Sequence, residues 1–141
     1  MNSKLRVPTK WVRNSELKGL GVDLVEVERI ESAVTKWGQR FLEKVFTPAE
    51  LNYCLSRARP AEHLAARFAG KEAVIKALGL RCPWKDIEIR RGNTGKPAVH
   101  LEGKAKELAG QGHILITLTH TAQLALAQAV YIADCGLRIA D

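Results

Sequence analysis

An aspartate at position 23 interrupts an apolar, β-branched run, LGVDLVEV over residues 20–27. The run predicts a strand buried on both faces. An ionised carboxylate there costs on the order of several kcal/mol unless a cation or strong donors accompany it. The ordinary explanation is a structural ion pair or a carboxylate bonded to backbone N–H groups. A chemical one is a metal. Glu72 and Lys76 stand four apart on one side of a predicted helix, where a simple solvent-facing pair contributes about 0.2–0.5 kcal/mol. The same helix carries Arg67 and Lys71 close to its buried face. One carboxylate with three cations, held by Leu and Phe packing, makes a place for a metal and phosphates.

Two further groupings carry polar chemistry. The stretch Arg91-Gly92-Asn93-Thr94-Gly95-Lys96-Pro97 offers backbone N–H groups and cations to a phosphate. It lacks the GxxxxGK[ST] pattern and joins two predicted strands, so an ordinary hairpin turn explains it equally well. Thr117, Thr119, His120 and Thr121 gather hydroxyls and an imidazole at a strand end, a pattern that cross-strand threonine pairing also produces. His63, His100 and His113 are scattered, and no HxH or HxxxH pair supports zinc.

The elements that must position these groups follow from periodicity. Ile30, Val34, Trp37, Phe41 and Val45 recur at helical spacing, predicting a helix over about residues 28–45 that Gly38 weakens. Thr47-Pro48-Ala49-Glu50 has the form of a capping box and starts a helix running to about Ala58. A longer helix spans roughly Ala61 to Leu78 with a stripe of Leu64, Phe68, Ile75 and Leu78; Lys71 completes that spacing as a lone cation. Residues 86–90 and 98–101 read as a hairpin, residues 103–110 as a short helix, and 114–119 and 124–132 as two strands around His120-Thr121-Ala122. The fold class is α+β: a small, mainly antiparallel sheet packed with helices. Residues 1–19 read as an N-terminal arm, with Trp11 as its candidate anchor, and residues 20–141 as one domain.

Composition narrows the classes. The 141 residues hold 46% apolar and 26% charged side chains, which suits one globular domain rather than a disordered chain. Cys54, Cys82 and Cys135 form no CxxC pair, so a disulfide scaffold and a zinc ribbon are disfavoured. The N-terminus has no apolar h-region, and the uncharged stretch 114–133 alternates rather than spans, so a cytoplasmic protein off the membrane is expected. Lys and Arg exceed Asp and Glu by 22 to 15, a field that favours polyanions. A basic nucleic-acid-binding module is the rival that charge alone suggests. It lacks a recognition motif, and Trp37, Phe41 and Phe68 sit at core spacing.

Taken in order, GVDLVEVERI (21–30), RFLEKVFTPAE (40–50), HLAARFAGKEAVIKALG (63–79), WKDIEI (84–89), TGKP (94–97) and LTHT (118–121) resemble the holo-acyl-carrier-protein synthases. These form the small trimeric class of the 4′-phosphopantetheinyl transferases. The resemblance implies transfer of phosphopantetheine from coenzyme A to a serine of apo-acyl carrier protein, releasing adenosine 3′,5′-bisphosphate. It implies Mg²⁺ held by Asp23 and Glu72, and catalytic roles for Asp23, Glu72 and Lys76, with Lys76 on the transferred phosphate; beyond the resemblance, Glu72 acting through a metal-bound water is taken as the candidate general base. Arg67, Lys71, Lys76, Gly95, Lys96, Pro97, His120 and Thr121 match coenzyme A positions. Arg29, Arg40 and Lys44 match the basic positions that grip the acidic carrier, and they lie off the apolar stripe. Homotrimers with sites at subunit boundaries are implied too, with no nucleic acid or membrane partner.

The chain also departs from the family pattern. The arm is long, Gly70 replaces a common alanine at a cost under about 1 kcal/mol, and Gly79-Leu80-Arg81-Cys82-Pro83 replaces a glycine-rich segment. Thr94 stands where asparagine is frequent. A member that keeps the fold without the activity is a second rival, against which the presence of Asp23, Glu72 and Lys76 counts.

Overall fold

The computed structural model describes residues 13–137, with side chains over residues 16–133. The elements run β1 (Arg13–Glu26), α1 (Val27–Trp37), α2 (Gln39–Val45), α3 (Pro48–Leu55), α4 (Pro60–Leu78), β2 (Ile87–Arg91), β3 (Pro97–Leu101), α5 (Gly103–Ala109), β4 (His113–His120) and β5 (Leu124–Leu137). A three-stranded antiparallel sheet has the order β1-β5-β4, and β2 and β3 form a separate hairpin. The expected α+β class stands. Trp11 lies outside the described residues. The arm is shorter than expected, because residues 13–19 already belong to β1 and pair with β5.

Helix α4 lies against the three-stranded sheet, and small side chains set its distance. Ala125, Ala127 and Ala129 alternate onto the inner face of β5, and all are fully buried against a helix rich in alanine. On β1 the layers approach closer still. A Cβ built on Gly21 would stand 1.8 Å from the carbonyl oxygen of Ala73, and one on Gly19 would stand 1.9 Å from that of Ala77. Only glycine fits there. Because alanine and glycine carry so much of this contact, α4 is buried around most of its circumference, beyond the Leu/Phe/Ile stripe that the sequence suggests. Gly70 is part of the same packing: a Cβ there would press Leu118 and Ile116 of β4 at 3.1 and 3.3 Å.

The predicted helix over 28–45 is broken in two. Gly38 adopts φ 57° and ψ −136°, ending α1 and starting α2. Trp37 is consequently turned out of the core and stays exposed, while Ile30, Leu42 and Val45 pack inward. The turn into α3 has the expected reciprocal cap: Thr47 Oγ1 accepts from Glu50 N, and Glu50 Oε1 accepts from Thr47 N.

The cap glutamate has a second task. Glu50 and Lys71 form a fully enclosed ion pair, Nζ to Oε1 2.6 Å. Glu50 Oε2 accepts from Ile89 N of β2, and Lys71 Nζ also donates to the carbonyls of Trp84 and Ile87. Burial pulls the Lys71 ammonium below its ordinary range, and Glu50 opposes that shift. Every donor of this cation thus has an acceptor. The expectation that Lys71 contacts coenzyme A is corrected here: its ammonium is inside the protein, locking α3, α4 and β2 together.

The burial on β1 is also corrected. Leu20, Val22 and Leu24 are 50–58% exposed, so the strand has one buried face and one open face. Asp23 points to the helix side with Gly21 and Val25, which are buried. The opposite face of the sheet aligns Leu24 with Leu126, and Val22 with Gln128 and Thr117.

Two stability measurements follow. Gly21→Ala is expected to lower the unfolding free energy by about 3 kcal/mol or more in urea titration, since neither backbone can yield cheaply. Lys71→Met, which leaves Glu50 without its cation, is expected to cost about 3–5 kcal/mol. Calorimetry on the folded Lys71→Met protein should show any weakening of coenzyme A binding only together with that loss of stability; a selective loss of coenzyme binding at unchanged stability would return Lys71 to the ligand surface.

Candidate active site

The acids that the sequence separates by 49 positions come together at one cavity. Asp23 from β1 and Glu72 from α4 both line a space of about 340 Å³, with Leu24, Val25, Arg29, Ile30, Ala33, Phe41 and Phe68 as its other walls. The close strand–helix approach at Gly19 and Gly21 places β1 against this side of α4. Lys76, one turn beyond Glu72, reaches back to β1: its Nζ donates to Val22 O at 2.8 Å and to Asp23 Oδ1 at 3.1 Å. The simple Glu72–Lys76 surface pair does not form. Glu72 Oε1 instead accepts from the indole Nε1 of Trp84 at 2.8 Å, and the exposed Arg81 guanidinium lies 3.4 Å away.

Each carboxylate therefore has one oxygen held by protein donors. Asp23 Oδ2 and Glu72 Oε2 have no hydrogen-bonding partner among the described residues. Among those residues no cluster of three or more His, Cys, Asp or Glu side chains is present. Two carboxylates with open oxygens and no nitrogen or sulfur donor fit a small hard dication that completes its shell with water and phosphate oxygens. They do not fit zinc.

A second cavity, about 310 Å³, lies on another side of α4. Tyr53, His63, Arg67, Arg90, Arg91, Gly95, Pro97 and His120 are among its walls. Arg67 stacks on the Tyr53 ring at 4.0 Å, with Arg57 at 4.3 Å and Arg91 at 5.7 Å from the same ring. Arg67 is buried, and its Nε has no hydrogen-bond partner. Such a donor amid three guanidiniums calls for an anion. His63 and His120 face one another at 5.1 Å between ring centroids, and His120 Nδ1 approaches Glu62 at 3.4 Å. Burial, then the neighbouring His120 and Arg67 charges, hold the His63 imidazole below its ordinary range.

Of the expected coenzyme residues, Arg67, Gly95, Pro97 and His120 meet in this second cavity, while Lys76 bonds Asp23, a wall of the first, without lining it. Lys96 is exposed in the β2–β3 turn, where its carbonyl accepts from Gly92 N. Thr121 Oγ1 accepts from Gln123 N and Leu124 N and so shapes the β4–β5 turn. Arg40 and Lys44 bracket a groove of about 360 Å³ with Trp37, Phe41, Val45 and Trp84, whereas Arg29 lies at the carboxylate cavity. Phe41 belongs to both walls, so groove and cavity adjoin. Arg91, from the stretch that offers cations to a phosphate, is among these walls, whereas the contributions of Tyr53, His63 and Trp84 were not apparent from spacing, because each comes from a different element.

Residues 19–128 match the model of the 4′-phosphopantetheinyl transferase superfamily. The chain is 49% identical over 116 residues to a holo-[acyl-carrier-protein] synthase of Moorella thermoacetica, covering 78% of this chain and 90% of that protein. It is 45% identical to one of Protochlamydia amoebophila, covering 80% and 96%. Among solved structures, holo-ACP-synthase from Plasmodium yoelii superposes with a TM-score of 0.77 at 32% identity, covering 86% and 99%. A Bacillus anthracis holo-(acyl-carrier-protein) synthase in complex with CoA (3′,5′-ADP) gives 0.70 at 30% identity, covering 84% and 98%. With this fold, this match along most of its length and these identities, the chain belongs to the 4′-phosphopantetheinyl transferase superfamily, among the holo-[acyl-carrier-protein] synthases.

Proposed function

We propose that this chain transfers the 4′-phosphopantetheine arm of coenzyme A to a serine of an apo-acyl carrier protein, with Mg²⁺ at Asp23 and Glu72 and adenosine 3′,5′-bisphosphate as the product. The observation that carries this reading is the pair of carboxylates, each with one anchored and one open oxygen, on one cavity. Asp23 and Glu72 would hold Mg²⁺, which when bound would supply positive charge to offset that of the diphosphate and of its leaving oxygen. Lys76, half-exposed beside Asp23, supplies a mobile cation for the transferred phosphate. The carrier brings its own nucleophile, and Glu72 is the candidate to take the serine proton. Arg67, with its unpaired buried Nε, and His120 receive the nucleotide's 3′-phosphate; Gly95 and Pro97 form the wall beside it, and Lys96 and Thr121 contribute from the rim.

The groove between Arg40 and Lys44 has the charge for an acidic carrier helix, and Arg29 stands at the adjoining cavity. A serine delivered along this groove arrives beside the carboxylates. Cytoplasmic operation fits the buried free thiols of Cys54 and Cys82. Within the described residues no helix is long and apolar enough to cross a membrane.

We further propose that three copies associate through the open face of the β1-β5-β4 sheet. Leu20, Val22, Leu24, Leu115, Leu124 and Leu126 lie on it, each at least 36% exposed, an apolar patch that water disfavours. Arg67 and Glu72, five residues apart on α4, point about 140° from each other around the helix, and their two cavities share no lining residue. A coenzyme that needs both kinds of site is then served by pairing one cavity of one copy with the other cavity of its neighbour.

Two experiments test these readings. Incubation with Mg²⁺, coenzyme A and apo-carrier should add a phosphopantetheine mass to the carrier, while Asp23→Ala and Glu72→Ala should lose at least about 100-fold in rate with their folds intact by circular dichroism. Unmodified carrier from the parent protein, or near-parental rates in both variants across a Mg²⁺ titration, would refute the assignment. Sedimentation of the double variant Leu24→Lys, Leu126→Lys should show monomers where the parent sediments as a trimer; a monomeric parent would exclude the shared site.

A further inference from the structure

We propose that Trp84 is a positioning residue for Glu72: its indole N–H fixes one carboxylate oxygen so that the other is presented to the metal. The inference rests on the metal reading above and extends it to a residue outside the ligand pair. Three contacts define the arrangement. Nε1 of Trp84 donates to Glu72 Oε1 at 2.8 Å, a well-formed bond. The Trp84 carbonyl accepts from the enclosed Lys71 ammonium at 3.0 Å, so the backbone that carries the ring is itself fastened. The ring lies 6.1 Å from that of Phe68, tilted by 38°, and Phe68 lines the carboxylate cavity. The neighbouring Lys71 and Glu72 on α4 thus grip the two ends of one residue, backbone and ring.

A glutamate has three side-chain torsions, and an untethered carboxylate at the edge of a cavity must be ordered each time a cation binds. A donor on one oxygen removes that freedom beforehand and leaves the second oxygen as the ligand, as in other metal sites whose ligands are held from behind. Arg81 approaches the same oxygen, but at 3.4 Å and from an exposed side chain it is a weaker constraint. The role assigned to Trp84 is orientation alone; it exchanges no proton with substrate.

The test replaces the N–H and keeps the ring. Trp84→Phe, and a protein carrying 3-benzothienylalanine at position 84, both remove the donor; the second preserves the bicyclic shape, so it reports even if the first fails to fold. Mn²⁺ binding by electron paramagnetic resonance, on the full chain with coenzyme A present, is expected to weaken by about 10-fold or more. Melting temperature should hold for the benzothienyl protein, and its rate should recover toward the parent's at saturating metal. Parental Mn²⁺ affinity in the benzothienyl protein would overturn the proposal while leaving metal use by the parent intact. A parent that binds no Mn²⁺ and modifies no carrier would instead refute the underlying metal reading, and this proposal with it.

Discussion

The enclosed pair between Glu50 and Lys71 is the constraint on which the rest of the molecule is arranged. Two opposite charges removed from water are tolerated only when their remaining hydrogen-bonding capacity is met. Here it is met from four directions: the Thr47 and Ile89 amides serve the carboxylate, and the Trp84 and Ile87 carbonyls serve the ammonium. Those partners belong to the start of α3, the strand β2 and the turn that precedes it, and Lys71 itself comes from the middle of α4. A network of this kind accepts one relative placement of these segments, since any slip strands a charge in the core. The site inherits that rigidity, because Glu72 is the next residue after Lys71 and Trp84 is joined to both.

Around this fixed point the chain divides its surfaces by charge. The carboxylate cavity and the arginine-rich cavity occupy different sides of one helix, which keeps the two acids out of the field that the Tyr53 cluster builds. On the function proposed above, a polyanionic coenzyme would meet a dication at the first cavity and guanidiniums at the second. The buried, unpaired Nε of Arg67 fits the same proposal, in which the ligand would bring its partner.

Much of the architecture was legible in the sequence because it rests on local rules. Thr47-Pro48-Ala49-Glu50 announced a cap and formed one, and Gly38 weakened a helix that in fact breaks there. The uncharged stretch after Ile114 resolved into two strands, as its alternation required. What escaped was non-local. The cap motif named Glu50 but could not say that its carboxylate would meet Lys71 across the core. An apolar run such as LGVDLVEV does not distinguish a strand with two buried faces from one whose outer face stays open. Alanine and glycine vanish from a stripe drawn on large residues, so the burial of most of α4 went unread. The motif order carried the Asp23–Glu72 convergence, whereas the indole behind Glu72 needed coordinates.

The near-contact between strand and helix at Gly19 and Gly21 has a consequence for drift in this protein. The gap between the two acids is metered by the thickness of the layer separating β1 from α4, and that layer is little more than backbone and methyl groups. A bulkier side chain anywhere in it acts as a shim: it wedges the floor from the beam and moves the two carboxylates apart, though neither acid has changed. The tolerance of the reaction to mutation is therefore set as much by the thinnest residues in the chain as by its charged ones.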